Sequence, residues 1–277
     1  MTFDVTGGRE IPLLQVTGLS KAFFATRAAA DVSFSVNQGE IVSLLGENGA
    51  GKSTIIKMLA GVYRADSGSV TLSGADLEAS GIRRQISFVH QNLGLIEWMT
   101  VAENIALVLG YPRRFGLINV RQMNRQAQEA LELVGGGIDP TARVFDLPRT
   151  ERSLLAIARG LVTKPKLLVL DEPTASLPAA DVARLFGVLH TLRDSGVGMI
   201  YVSHRLDEIY EISSRTVVMR NGHVVAERPV AGLSHGELVE LIVGRHTAVT
   251  VFDQPEEDIR LRLTEVVVDG AGPVSFT

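Results

Sequence analysis

The stretch Gly46-Glu47-Asn48-Gly49-Ala50-Gly51-Lys52-Ser53-Thr54 joins an apolar strand candidate, Ile41 to Leu45, to a helical run from Ile55 to Ala60. A loop of this composition at this junction leaves few folds open, because it is a phosphate-binding turn that works between a buried strand and a helix N-terminus. Its three glycines let the backbone turn N–H groups inward, where a residue with a Cβ would be strained or would meet the phosphate oxygens. The helix that follows adds its positive end. Lys52 brings a point charge to the β and γ phosphates, and the Ser53 hydroxyl is a ligand for Mg2+. The motif predicts a nucleoside triphosphate site made of Gly46, Glu47, Asn48, Gly49, Ala50, Gly51, Lys52, Ser53 and Thr54. The competing reading is a plain glycine-rich connector, and the fit of both flanks argues against it.

Bulk properties narrow the partners. The 277 residues suffice for one large domain or two modest ones. A net charge of −4 gives no broad basic surface for nucleic acid or anionic lipid, so Arg83-Arg84 and Arg113-Arg114 read as solvated faces. The absence of cysteine excludes disulfides and thiolate metal sites. His90, His190, His223, His235 and His246 show no metal spacing. Apolar residues make up 45% of the chain, yet no run approaches the ~20 needed to span a bilayer, and Leu154 to Val162 is broken by Arg159. Met1 to Pro12 carries Asp4, Arg9 and Glu10 and lacks the apolar stretch of a signal peptide. A cytosolic location is expected, including one docked onto a membrane protein.

Short apolar runs at Ile41 to Leu45, Leu167 to Leu170 and Met199 to Val202 are each followed by a loop and a helical pattern, which predicts an α/β fold with a mainly parallel sheet covered by helices. Val182, Leu185, Phe186, Leu189 and Leu192 form one helical stripe before Gly196, and Met123, Ala127, Ala130, Leu131 and Val134 form another before three glycines. Leu14-Gln15-Val16, Val32 to Val36 and Val70-Thr71-Leu72 alternate instead, and predict a smaller, largely antiparallel layer. At the far end, Leu261-Arg262-Leu263 followed by Pro273 to Thr277 echoes Leu14-Gln15-Val16 followed by Asp31 to Ser35. Two short strands resemble each other by chance as readily as by repetition; a true repeat implies a longer tandem protein.

Lys166-Leu167-Leu168-Val169-Leu170-Asp171-Glu172 is an apolar strand ending in two acids. Set beside the phosphate-loop strand, it is expected to bring Asp171 toward Mg2+ and Glu172 toward an attacking water, which points to hydrolysis. With these elements, Gln91 after the strand Ile86 to Val89, Asp171-Glu172-Pro173-Thr174 and Ser203-His204 stand in the order found in ABC-type ATPases. They resemble that family's Walker A loop, Q-loop, Walker B strand and switch histidine, over a span from Leu13 to Arg245. Within the family, Val101 to Ile105, Ser203 to Ile209 and Ile242 to Arg245 resemble the ATP-binding subunits of bacterial monosaccharide importers, which are tandem proteins with two ATPase halves.

The resemblance implies a P-loop fold of the ABC type with a helical subdomain at about 92–160. It implies a domain at 12–246 after a tail at 1–11, a linker at 247–257, and the start of a second, incomplete ATPase domain at 258–277. ATP and Mg2+ are the implied ligands, with Ser53, Gln91 and Asp171 at the metal and Glu172, His204 and Gln91 in the catalytic roles. Gln91 would sense the γ-phosphate, and His204 would contact it and support the attacking water. Phe23 aligns with the aromatic that stacks on adenine, with Phe24 as rival and a plain core role as the alternative. Asn92 to Met99 corresponds to the region that receives a helix of the membrane subunit; Trp98 there fits docking or core equally. The implied partners are permease subunits, a second ATPase half or homodimer mate, and indirectly a solute-binding protein, at the cytoplasmic face of the membrane, with no nucleic acid.

One motif departs from the family. Where relatives open the helix before the Walker B strand with Leu-Ser-Gly-Gly-Gln, which caps the ATP of a dimer partner, this chain has Leu147-Pro148-Arg149-Thr150-Glu151. Pro148 removes an N–H, Arg149 and Thr150 are expected to put side chains where phosphate would lie, and Glu151 adds negative charge. Losing two hydrogen bonds to charged groups at ~1.5 to 3 kcal/mol each slows hydrolysis roughly a hundredfold or more. Pro178 replaces an aspartate common in relatives. The expected function is the ATPase of a solute importer, with a monosaccharide as solute. The alternatives are an ATP-dependent assembly module with little turnover, and an ABC protein acting on DNA or ribosomes, which the lack of basic insertions and zinc cysteines disfavours.

Overall fold

The computed structural model describes residues 11–175, 177–244, 263–268 and 271–276. The chain divides into two units, Met1–Gly244 and Arg245–Thr277.

In the first unit, strands β1 (Leu14–Phe23), β2 (Thr26–Val36), β4 (Ser67–Leu72) and β5 (Ala75–Asp76) form an antiparallel sheet in the order β2-β1-β4-β5. Leu14 faces Val36 on one side and Leu72 on the other, and Val16 faces Phe34 and Val70. The expected antiparallel layer is therefore present, but β1 runs seven residues past Val16. Gly18, at φ 61°, interrupts the alternation there and the pairing with β2 shifts register on both sides of Leu19, so the period-2 signal stops while the strand continues.

The second sheet holds β3 (Ile41–Leu45), β6 (Ile86–Val89), β9 (Leu167–Asp171), β10 (Gly198–Val202), β11 (Arg215–Arg220) and β12 (His223–Pro229), ordered β12-β11-β3-β10-β9-β6. All neighbours run parallel except β11 and β12. This order corrects the expectation that the acid-bearing strand lies beside the phosphate-loop strand: β10 sits between β3 and β9, hydrogen-bonded to both. Ile41 to Leu45, Leu167 to Leu170 and Gly198 to Val202 are all buried on both faces, so nothing in their composition ranks their positions. The consequence is chemical. The chain leaving the end of β10, Ser203-His204, emerges between the loop and the acids.

The parallel sheet separates two cores. Val42, Leu44, Val169 and Ile200 face the antiparallel layer and helix α1 (Lys52–Leu59), whose Ile55, Ile56, Met58 and Leu59 complete that core. Ile41, Leu45, Leu168, Leu170, Met199 and Tyr201 face the other helices. These are α2 (Val101–Leu109), α3 (Val120–Glu132), α4 (Arg149–Leu161), α5 (Ala179–Asp194), α6 (Leu206–Ile212) and α7 (His235–Val243), with a small hairpin of β7 (Arg113–Arg114) and β8 (Leu117–Ile118) between α2 and α3. Helix α2 starts at a capping box in which the Thr100 hydroxyl accepts from the Glu103 N–H and the Glu103 carboxylate accepts from Thr100. Helices α2, α3 and α4 pack on one another, and α4 also packs on β6.

In the second unit, β13 (Leu263–Val268) and β14 (Ala271–Phe276) pair antiparallel, with Leu263 opposite Phe276 and Val266 opposite Val274. Residues 1–10 of the expected tail and the whole expected linker, 247–257, lie outside the described residues.

Candidate nucleotide site

The phosphate loop follows β3 and delivers the chain to α1 through Gly51, at φ 105°. Gly51 offers no side-chain acceptor to the first turn of α1, which leaves helix N–H groups for a ligand. The glycines have different reasons to be there. A Cβ at Gly46 would stand 2.2 Å from the Met219 carbonyl oxygen, and one at Gly51 2.2 Å from that of Ala28. Those two are demanded by the protein's own backbone. A Cβ at Gly49, at φ 85°, meets no atom within 4 Å; that position opens onto a cleft of about 1050 Å³. The expected backbone strain is present at all three glycines, which have φ 145°, 85° and 105°, whereas only Gly49 faces open space where a ligand could lie.

Lys52 reaches back across the loop, its Nζ donating to the Gly46 carbonyl at 2.6 Å and to that of Glu47 at 3.0 Å. Burial lowers its pKa, and the charges of Glu172 and Asp171 partly offset this. A half-buried ammonium beside exposed N–H groups is a seat for polyanionic oxygen.

The acids stand across the cleft at the end of β9. Asp171 pairs with Val202 of β10, and the Glu172 N–H donates to the Val202 carbonyl at 2.9 Å. Burial raises the pKa of Asp171; the charge of Glu172 pushes the same way, against His90, Lys52 and Lys57. A carboxylate penalised in this way gains from a cation nearby. Ser53, Gln91 and Asp171 all line the cleft and offer hydroxyl, amide and carboxylate oxygens, a donor set that fits Mg2+. Among the described residues no cluster of three or more His, Cys, Asp or Glu could hold a metal ion.

Glu172 has φ 51°, a left-handed conformation that costs a non-glycine residue ~1 to 2 kcal/mol. Its carboxylate is gripped from two sides. Gln91 Nε2 donates to Oε2 at 3.0 Å, and His204 Nδ1 lies 3.1 Å from Oε1. Three residues from three separate segments, after β6, β9 and β10, therefore converge on one wall of the cleft. A carboxylate so aimed can orient and deprotonate a water, and the histidine beside it can share the proton load or touch a transferred phosphoryl group.

The Phe23 ring packs edge-on against Tyr63 with centroids 4.9 Å apart, with Lys21 Nζ 5.6 Å from its centroid; Phe23 is not among the residues lining the cleft, which include Thr26 a little further along the same hairpin. The rival Phe24 is fully exposed at φ 53°. The wall nearest β2 is instead made by Thr26, Arg27 and Ala28, with Asn221 from the turn between β11 and β12. That turn is tied to the loop, since Gly222 N–H donates to the Ala50 carbonyl and Ala30 N–H to the Gly222 carbonyl. No local motif marks these residues; only the tertiary pairing does.

The altered stretch forms the entry to α4, with Pro148 at the N-cap. Thr150 is buried, contrary to the expectation that it projects toward a partner's phosphate, while Arg149 is exposed and lines a small groove with Gln91. Arg152 folds over the entry, donating to the Leu147 and Phe145 carbonyls and to Glu97. Trp98 is 75% exposed, which removes the core reading. None of the described helices is long and apolar enough to cross a membrane.

A glycine-rich loop between β3 and α1, acids one strand removed, and a histidine issuing from the strand between them define a P-loop nucleotide-binding domain. Residues 29–175 match the family model described as ABC transporter. The chain belongs to the ABC transporter family, as an ATP-binding member with the α/β fold of that class. It is 42% identical over 240 residues to the ribose import ATP-binding protein RbsA 1 of Mesorhizobium japonicum, covering 85% of this chain and 46% of that one. It is 40% identical over 256 residues to the ribose import ATP-binding protein RbsA 2 of Rubrobacter xylanophilus, covering 91% of this chain and 49% of that one. The chain thus spans about half the length of the curated relatives it matches. The solved structure of an ATP-binding cassette of an ABC transporter in its ADP conformation superposes with a TM-score of 0.72 at 26% identity, covering 85% of this chain and all of that one.

Proposed function

We propose that this chain binds ATP with Mg2+ and hydrolyses it to energise import of a solute, a monosaccharide, through a membrane permease. One observation carries the reading: Glu172 is held at 3.0 and 3.1 Å between Gln91 and His204, on the wall of a cleft whose floor is the Lys52 loop. The monosaccharide rests on the names of relatives such as the two ribose import proteins. In this reading Gly46 to Thr54 cradle the phosphates, Ser53, Gln91 and Asp171 would hold Mg2+, which would supply charge neutralisation, and Glu172 with His204 activates water.

The site takes its cap from a second ATPase half and not from a second copy of this chain, because a copy would offer Leu147 to Glu151, which lack the serine and paired glycines of the family signature; that stretch faces the second half's nucleotide. The β13–β14 hairpin, like the hairpin of β1 and β2, supports reading 258–277 as the opening of such a half. The domain at 12–246, with its helical subdomain at about 92–160, docks a permease through the exposed segment around Trp98, peripheral to the cytoplasmic face of the membrane. A solute-binding protein acts on the other face. Phosphate release by the intact protein with its permease in vesicles tests this. Turnover stimulated by a solute-loaded binding protein is expected; nucleotide binding with no turnover under any solute would reject it in favour of an assembly module.

A further inference from the structure

Glu208 on α6 is 2% exposed, and no step above uses it. Three hydroxyls converge on its Oε2: Ser203 Oγ at 2.7 Å, Tyr201 OH at 2.7 Å and Thr174 Oγ1 at 2.8 Å. Its Oε1 faces the Arg205 guanidinium, with Nη1 at 3.0 Å. A buried carboxylate without partners would cost several kcal/mol, so a cluster of donors is what such a group requires. The identity of the donors is what matters here. Ser203 and Arg205 are the two neighbours of His204, and Thr174 lies two residues beyond Glu172.

The Ser203 hydroxyl gives its hydrogen to Glu208 and accepts the Arg205 N–H at 3.0 Å, closing a turn around His204. Were that hydrogen free to point elsewhere, the acceptance from Arg205 would no longer be fixed. Both flanks of the histidine thus meet one carboxylate, and Thr174, just past Glu172, donates to the same oxygen as Ser203. The His204 side chain is 67% exposed, and among the described residues its one side-chain partner is Glu172. Its position is accordingly set by its neighbours in the chain, not by packing on its ring.

We propose that Glu208 is a positioning residue that registers the loop carrying His204 against the loop carrying Glu172, and so holds their 3.1 Å contact. The inference rests on the hydrolytic reading of that pair. It makes a claim about coupling that a merely structural acid would not satisfy: Glu208 acts through His204, so its loss matters only while His204 is present. Glu208→Gln keeps the volume but replaces a carboxylate that accepts three hydroxyls through Oε2, and whose Oε1 meets the Arg205 guanidinium as an ion pair without a hydrogen bond, by an uncharged amide that must itself donate.

The test is a double-mutant cycle on steady-state hydrolysis by the intact protein assembled with its permease, using Glu208→Gln, His204→Ala and the pair. Glu208→Gln is expected to lower kcat about tenfold or more with KM for ATP changed less than about twofold, and to add less than about twofold in the His204→Ala background. Equal losses in both backgrounds, or a raised KM at unchanged kcat, would overturn the proposal. If Glu208→Gln does not fold, Ser203→Ala, which removes a single donor, takes its place in the same cycle with the same criteria at about threefold or more in kcat. His204→Ala without effect on kcat would instead refute the hydrolytic role of His204; His204→Ala impaired with Glu208→Gln and Ser203→Ala both unaffected would refute this inference alone.

Discussion

Alanine at Gly49 and at Gly51 separates what the phosphate loop owes to its own fold from what it owes to a ligand. Both glycines have positive φ, 85° and 105°, so alanine at either bears a left-handed penalty of ~1 to 2 kcal/mol. At Gly49 nothing further is added, because the new methyl meets no protein atom within 4 Å. At Gly51 it would lie 2.2 Å from the Ala28 carbonyl oxygen, and real contacts of this kind do not fall below 3.0 Å. Either β2 or the start of α1 must move by most of an ångström. Overpacking of this sort costs ~1 to 3 kcal/mol, which brings Gly51→Ala to roughly 2 to 5 kcal/mol.

At ~2 to 4 °C per kcal/mol for a domain of about this size, the nucleotide-free midpoint should drop roughly 2 to 8 °C for Gly49→Ala. For Gly51→Ala it should drop roughly 4 to 20 °C, and always further than for Gly49→Ala. The shift added by ATP and Mg2+ is expected to be the smaller one in Gly49→Ala. A site filled to about 100 times its Kd gains ~2.7 kcal/mol, and Gly49→Ala should forfeit most of that gain because its methyl occupies ligand space. Thermal melting with and without nucleotide reads both quantities. Equal destabilisation by the two variants, or a full nucleotide shift in Gly49→Ala, would refute the division between them.

Three further outcomes follow from the same geometry. Asp171→Asn should raise the melting midpoint of the nucleotide-free chain by a few degrees while abolishing the extra shift that Mg2+ gives with ATP, since it removes a charge that burial penalises. Because the folded pKa of Asp171 is raised, the wild-type penalty is full above that raised value and fades as pH falls toward 3.8, so the stability advantage of the asparagine variant should shrink on acidification and be gone below it; an advantage that grows on acidification would contradict the sign. Lys52→Ala should weaken ATP binding in equilibrium titration at least tenfold, as it removes the point charge and also the two bonds that tie the Gly46 and Glu47 carbonyls. The chain by itself, even if it dimerises, should hydrolyse ATP on the order of a hundredfold more slowly than the assembled protein, because its cleft would meet only Leu147 to Glu151; matching rates in a phosphate-release assay would show that Arg149 or another group replaces the signature.

Much of the site is legible from sequence because its motifs are short-range. The loop at Gly46 to Thr54 and the acids Asp171 and Glu172 are fixed by the residues beside them, as a strand end and a helix start must be. The order of the strands is not local. Residues 41–45, 167–170 and 198–202 are equally apolar, and only packing places β10 between β3 and β9. The same holds for Phe23, whose alignment with an adenine-stacking aromatic says nothing about Tyr63, the ring it meets in space. Thr26, Arg27, Ala28 and Asn221 reach the cleft through the bonds joining β2 to the turn at Gly222, a pairing of residues about 190 apart in sequence that no spacing rule reveals. Glu208 reads in sequence as one more acid at the start of a helix; its role is visible only when Ser203, Tyr201 and Thr174 are found on a single oxygen.

Phosphate release and ATP retention by Glu172→Gln in the intact, permease-bound protein probe the central claim most directly. The amide keeps the size of the side chain and its contact with Gln91 but cannot take a proton from water. ATP affinity within about threefold of wild type, with turnover reduced a hundredfold or more, is the predicted result. Turnover that survives the substitution would contradict the assignment of Glu172 as the base and require another group on the cleft wall to do the chemistry.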